Sequence, residues 1–261
     1  MQDEIHRERV TDVGSGNTQW ELQHEPRFDA LSRAIKPLPD CQTILDVGIE
    51  PYQLAEHLLT DLPSTVDYQG IALGDAGNTW TKDVGAHRIR VASCNAENDR
   101  WPYDTESIGC VVMGAILEHL FDPLSALQEA RRVLRPGGVL VLSTPNATRL
   151  IQRFRLLTGQ NVYDGYAHDA NPYHRHNHEW TRREVVDILG CARFHLDRYE
   201  AVTLRRDHSS RLGGAFEMLT SLNPRWRDQH VIRATRTDAK HLDCSNEQPI
   251  VYQASLTERE N

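Results

Sequence analysis

No CxxC pair, no long apolar run and no surplus of basic charge occurs in this sequence. Its five cysteines (Cys41, Cys94, Cys110, Cys191 and Cys244) are odd in number and widely spaced. That pattern excludes a zinc-ribbon ligand set and argues against a disulfide framework, so free thiols are expected. No stretch approaches the ~18 apolar residues of a membrane-spanning helix. The polar start, MQDEIHRERVTDVG, carries no apolar targeting segment, and a cytoplasmic protein is expected. Lys and Arg number 29 against 37 Asp and Glu, a formal net charge of -8. Such a chain has no general electrostatic attraction to nucleic acid or an anionic membrane. The short arginine groups (Arg131, Arg132, Arg135; Arg149, Arg153, Arg155) read as solvated helix faces. No internal repeat and no low-complexity segment is visible.

What is present is a core-forming composition, 39% hydrophobic and 25% charged, with an α/β rhythm. Short apolar runs at 43–47, 66–73, 88–92, 108–113, 139–142, 194–199 and 229–234 read as strands. Helical periodicity lies between several of them. Pro123 to Leu134 is one such helix, with Asp122 as its N-cap and Pro123 in its first turn. Arg135-Pro136-Gly137-Gly138 ends it. Thr181 opens another, with Glu184 completing a capping box and Gly190 as the stop. Pro26 to Ile35 reads as a short leading helix.

Buried parallel strands alternating with helices define the expected fold. It is a Rossmann-like, doubly wound, mostly parallel seven-stranded sheet with helices on both faces. Residues 1–25 form a flexible N-terminal segment, 26–236 the domain and 237–261 a C-terminal tail. The polar stretch 144–180, too long for a plain connection, reads as a lid inserted after strand five.

In such a sheet, ligands sit outside the carboxyl ends of the strands. The first loop there is Asp46-Val47-Gly48-Ile49-Glu50-Pro51-Tyr52. It holds one glycine where a pyrophosphate-binding loop needs three, which disfavours a nicotinamide dinucleotide. Three further segments stand at matching loops: NAEND with WPYD at 95–104, GAILEHLFDP at 114–123 and RVLRPGGVLVLSTPN at 132–146. In order and spacing this set resembles the class I S-adenosylmethionine-dependent methyltransferases. LLTGQNVYDGY at 156–166 and HRHNHEWTRREVVDIL at 174–189 extend the likeness. They resemble a subgroup often associated with bacterial and archaeal surface-glycan pathways.

The resemblance implies S-adenosylmethionine as cofactor. It implies Asp46, Gly48, Glu50, Tyr52, Ala72, Asn95, Ala96, Gly114 and Ala115 as cofactor-binding positions. Two of these depart from the family pattern. Ala72 stands where an acidic residue normally grips the ribose hydroxyls, and Asn95 replaces the adenine-side aspartate. Asp75 follows three residues after Ala72 and reaches the site only if its loop curls back. His119 and His176 are the catalytic candidates, either able to take a proton from the acceptor. The alternating His174, His176 and His178 read as structural, with His176 and Asn177 pinning the lid, and no metal is expected. Tyr163, Asp164, Tyr166 and Tyr173 are candidates for an acceptor pocket.

The reaction implied is O-methylation of a small-molecule or glycan-type acceptor. The alternative is a non-catalytic relative whose degraded cofactor site leaves a binding module.

Overall fold

The computed structural model describes residues 18–36, 43–60, 62–75, 77–160, 175–204 and 218–238. In chain order the elements are α1 (Thr18–Ile35), β1 (Thr43–Val47), α2 (Gln53–Thr60), β2 (Asp67–Ala72), β3 (Thr79–Val84) and β4 (His87–Ser93). There follow β5 (Ile108–Gly114), α3 (Pro123–Val133), β6 (Leu134–Pro145), α4 (Leu150–Leu157), α5 (Arg182–Cys191), β7 (Phe194–Val202) and β8 (Gln229–Arg236).

The strands form one open sheet in the order β3-β4-β2-β1-β5-β6-β8-β7. The pairings β4–β2, β2–β1, β1–β5 and β5–β6 are parallel. Those of β3 with β4, β6 with β8 and β8 with β7 are antiparallel. The order reverses beside β1, so the loops after β1 and β5 flank the crevice where such sheets bind ligands.

Alternation along the central strands builds two cores. Leu45, Val47, Val111, Met113, Leu140 and Leu142 point to one face, beneath Ala126, Leu127 and Val133 of α3 and Val185 and Leu189 of α5. Ile44, Cys110, Val112, Val139 and Val141 point to the other, beneath Leu31 and Ile35 of α1 and Leu58 of α2. A strand buried on both sides must be apolar at consecutive positions, which is why CVVM (110–113) and VLVL (139–142) read so clearly.

Several expectations need correction. The sheet has eight strands rather than seven; β3 forms a hairpin with β4. Helix α1 begins at Thr18, with Pro26 inside it, so residues 18–25 of the expected flexible N-terminal segment are helical. Residues 150–157 of the expected lid are helix α4. The capping box of α5 is present in both directions, but the helix passes Gly190 and Arg193 takes the left-handed conformation beyond its end. Cys94 and Cys110 are free thiols, whereas Cys191 is disulfide-bonded, against the expectation of free thiols throughout.

Arg131 and Arg132 are not solvated face residues either. Arg132 donates to the carbonyls of Trp101 and Tyr103 at 2.9 and 2.8 Å and pairs with Glu129. It thereby fixes the 101–103 turn against α3. Arg131 pairs with Asp238 at 2.7 Å. No helix among the described residues is long and apolar enough to cross a membrane.

Candidate active site

The loop after β1 turns sharply because it is held to its neighbour. The amides of Gly48 and Ile49 both donate to the Ile71 carbonyl, at 2.8 and 3.1 Å. Gly48 has φ +74°, and a Cβ there would lie 2.1 Å from the Ile116 Cδ1. Glycine is therefore required by conformation and by space. Tyr52, with φ +77°, leads into α2. Its hydroxyl accepts from the Trp80 indole at 2.9 Å and donates to Glu50 Oε1 at 3.5 Å. The Lys82 ammonium lies 5.5 Å from the centre of the Tyr52 ring. Strand β3, unrecognised in the sequence, thus buttresses the rim of this loop.

Asp46 is fully buried at the end of β1 and accepts from the Tyr68 hydroxyl at 2.8 Å. Burial pushes its carboxyl up to about 7, and the Tyr68 hydrogen bond opposes that rise.

After β4, Asn95 Oδ1 accepts the amides of Glu97 and Asn98 at 3.1 and 3.2 Å. Both lone pairs of that oxygen are engaged in its own turn. Glu97 Oε2 takes the amides of Phe121 and Asp122 at 2.7 and 2.6 Å, tying this loop to the one after β5. Trp101 holds the Ala96 carbonyl through its indole at 2.9 Å.

After β5, a Cβ on Gly114 would lie 2.5 Å from Leu54 Cδ2, and Ala115 has φ +59°. The buried Glu118 accepts from Thr144 Oγ1 at 3.0 Å. Residues 175–180 lie against this loop. The Asn177 amide donates to the Glu118 carbonyl at 2.7 Å, and its side chain donates to the His119 carbonyl at 2.7 Å. The His119 and His176 rings meet edge-on with centres 5.0 Å apart. His176 Nδ1 lies 3.1 Å from Glu179, whose carboxylate is bracketed by Arg149 at 2.5 and 2.8 Å. Burial raises the Glu179 pKa, but the hydrogen bonds from His176 and Arg149 outweigh it and the net shift is downward. His178 packs on Trp180 instead, at 4.4 Å between ring centres.

These loops enclose one cavity of about 750 Å³. Asp46, Gly48, Glu50, Tyr52, Ala72, Asn95, Ala96, Gly114, Ala115, His119 and His176 all line it. Asp75 does not; among the described residues its carboxylates are Asp46, Glu50 and Glu118. Tyr163, Asp164, Tyr166, Tyr173 and His174 lie outside the described residues.

One wall residue was missed in the sequence. Arg27, on α1, is 6% exposed and faces the cavity. Burial pushes its guanidinium down to about 10, while the charge of Glu118 pulls it up. Its Nε has no hydrogen-bond partner. Nothing in the local sequence marks it, because the charge that acts on it, Glu118, lies 91 positions along the chain.

A mixed open sheet of this order, with a cavity across the carboxyl ends of its parallel strands, defines a class I S-adenosylmethionine-dependent methyltransferase fold. The chain belongs to the methyltransferase-domain family, whose model matches residues 8–195. It is 31% identical over 140 residues to a ubiquinone biosynthesis O-methyltransferase of Haemophilus ducreyi, covering 54% of this chain and 46% of that protein. It is 27% identical over 221 residues to an S-adenosylmethionine-dependent methyltransferase of Mycobacterium tuberculosis, covering 73% and 74% of the two chains. The fold superposes with a TM-score of 0.53, at 14% identity, on a Burkholderia thailandensis 1,6-didemethyltoxoflavin N1-methyltransferase solved with S-adenosylhomocysteine. That match covers 90% of this chain and 88% of the other.

Proposed function

We propose that this protein transfers a methyl group from S-adenosylmethionine to a hydroxyl oxygen of a small-molecule or glycan-type acceptor. The observation that carries the reading is convergence. Eleven residues from four strand-end loops and the 175–180 segment share one cavity of about 750 Å³, a volume suited to a cofactor and a small acceptor.

S-adenosylmethionine supplies a methyl group on a positively charged sulfur, so the chain's task is mainly alignment. Gly48 and Gly114 let the loops pack on Ile116 and Leu54, which a Cβ at either position would meet, and that packing shapes the cavity wall. Arg27 holds the cofactor's carboxylate, the anion that a buried guanidinium on this wall requires. Glu50 receives the ribose hydroxyls in place of the carboxylate absent at Ala72. Ala96 and the turn capped by Asn95 form the adenine wall; with Asn95 Oδ1 engaged by two amides, that wall reads the base by shape. His119 and His176 stand at the acceptor end, where either takes the hydroxyl proton as the oxygen attacks.

A second reading has its own support. Ala72 brings no carboxylate, and the Asn95 oxygen is already used, which favours a relative that binds a partner without catalysis. Calorimetric titration with S-adenosylhomocysteine separates the two. Micromolar binding, weakened about tenfold or more in Glu50→Gln, supports the enzyme and directs acceptor screening to sugars and lipid-linked glycans. No binding up to millimolar ligand overturns the enzyme reading.

A further inference from the structure

We infer that Glu118, His119 and His176 form a binding site for a divalent first-row cation of the zinc or manganese type at the acceptor end of the cavity. Each offers one ligand atom, and the three atoms lie within 4.8 Å of one another. Metal–ligand bonds of ~2.1 Å set ligand atoms about 3.0–3.4 Å apart, so small side-chain rotations close the site. The donors are two imidazoles and one carboxylate, a set that suits zinc, manganese or iron better than calcium or magnesium. Three protein ligands leave coordination positions open, as in catalytic rather than structural sites.

The second observation lies behind the ligands. His119 Nδ1 is 3.0 Å from the Arg175 carbonyl, and His176 Nδ1 is 3.1 Å from Glu179 Oε1. A carbonyl and a carboxylate only accept, so the proton sits on Nδ1 in each ring. In the neutral ring the Nε2 then carries the lone pair that binds a metal. Thr144 holds Glu118 at 3.0 Å in the same supporting role, and Arg149 fixes Glu179 in turn. Ligands oriented from behind by hydrogen-bond acceptors and donors are a characteristic of metal sites.

The sequence reading assigned the alternating histidines no metal. The geometry draws only His176 from that run and takes its other two ligands from the loop after β5, 57 positions away at His119. The consequence for catalysis rests on the methyltransferase reading. The cation's open position takes the acceptor hydroxyl and lowers its pKa. With the cation bound, both Nε2 atoms are ligands and neither histidine is the base. The acceptor proton passes to solvent water, the oxygen lone pair forms the new bond to the methyl carbon, and the carbon–sulfur pair leaves with sulfur.

The test uses the untagged full chain, stripped with chelator and titrated calorimetrically with zinc chloride and then with manganese chloride. One equivalent is expected to bind at micromolar affinity or tighter. His119→Ala and His176→Ala should each weaken it more than about tenfold, and His178→Ala should leave it unchanged. Loss of affinity in His178→Ala alone, no effect of His119→Ala, or no saturable binding in wild type overturns the site. Should a variant fail to fold, zinc protection of His119 and His176 from diethylpyrocarbonate, read by mass spectrometry in wild type, decides the matter; no protection overturns it. S-adenosylhomocysteine titration of the same samples keeps this outcome separate from that of the cofactor reading, since the cation is measured without turnover.

Discussion

Arg149 grips both oxygens of the Glu179 carboxylate, at 2.5 and 2.8 Å, while His176 rests on one of them. The Glu179 side chain is 2% exposed and that of Arg149 14%. Removing one partner strands a buried charge. Glu179→Ala should therefore lower stability by about 3–5 kcal/mol, measured by urea unfolding. Arg149→Met with Glu179→Leu should recover most of that loss, because an apolar pair leaves no charge unpaired.

Arg27 links stability and binding in opposite directions. Burial of its charge is the larger influence on it, and its attraction to Glu118 the smaller. Arg27→Met should raise the melting temperature of the ligand-free protein. The same variant should weaken S-adenosylhomocysteine binding by about ten- to a hundredfold, the worth of one charge-assisted hydrogen bond. A variant that loses stability while keeping affinity would remove Arg27 from the cofactor site.

The Asp46 carboxyl titrates at about 7 in the folded chain against 3.8 for an ordinary aspartate. Between those values the folded state binds the extra proton, so stability falls as pH rises from about 4 to 7 and levels off above. Asp46→Asn keeps an acceptor for Tyr68 and removes the titration. Its stability advantage over wild type should be absent near pH 4, grow towards pH 7 and reach at most roughly 4 kcal/mol. Urea unfolding of both proteins at several pH values measures it.

At Gly48 two obstacles can be separated. Gly48→Ala meets both the left-handed backbone and Ile116 Cδ1 at 2.1 Å. Adding Ile116→Ala removes both Cδ1 and the Cγ1 that would lie at 2.8 Å, and against Ile116→Ala alone it should recover the steric part. A residual loss of about 1–2 kcal/mol, from an alanine held at positive φ, should remain. Full recovery in the double variant would mean that space, and not backbone conformation, selects glycine here.

Most of the sheet was legible because its central strands are buried on both faces and so are apolar at consecutive positions. Strand β3 was not. Of TWTKDV only Val84 is buried, so hydrophobicity carries no signal, and the strand exists because β4 offers it an edge. The eleven candidate positions that line the cavity could be named because each lies at or just beyond the end of a recognisable strand or in a motif. Arg27 and Arg132 escaped for a different reason. What matters about them is a partner or a cavity wall far along the chain: Arg132 holds carbonyls 29 and 31 residues away. A local pattern of basic residues in a helix does not distinguish that from a solvated face.

The hydrogen bond from the Trp80 indole to the Tyr52 hydroxyl has a practical consequence. Tyr52 lines the cavity, and the Trp80 indole donates directly to its hydroxyl, while Trp101 is sealed in the core. The protein carries its own fluorescent reporter of occupancy. Any ligand that displaces the tyrosine hydroxyl alters the polarity around that indole, so filling of the pocket can be followed without a label as the emission difference between wild type and Trp80→Phe, which cancels the other four tryptophans.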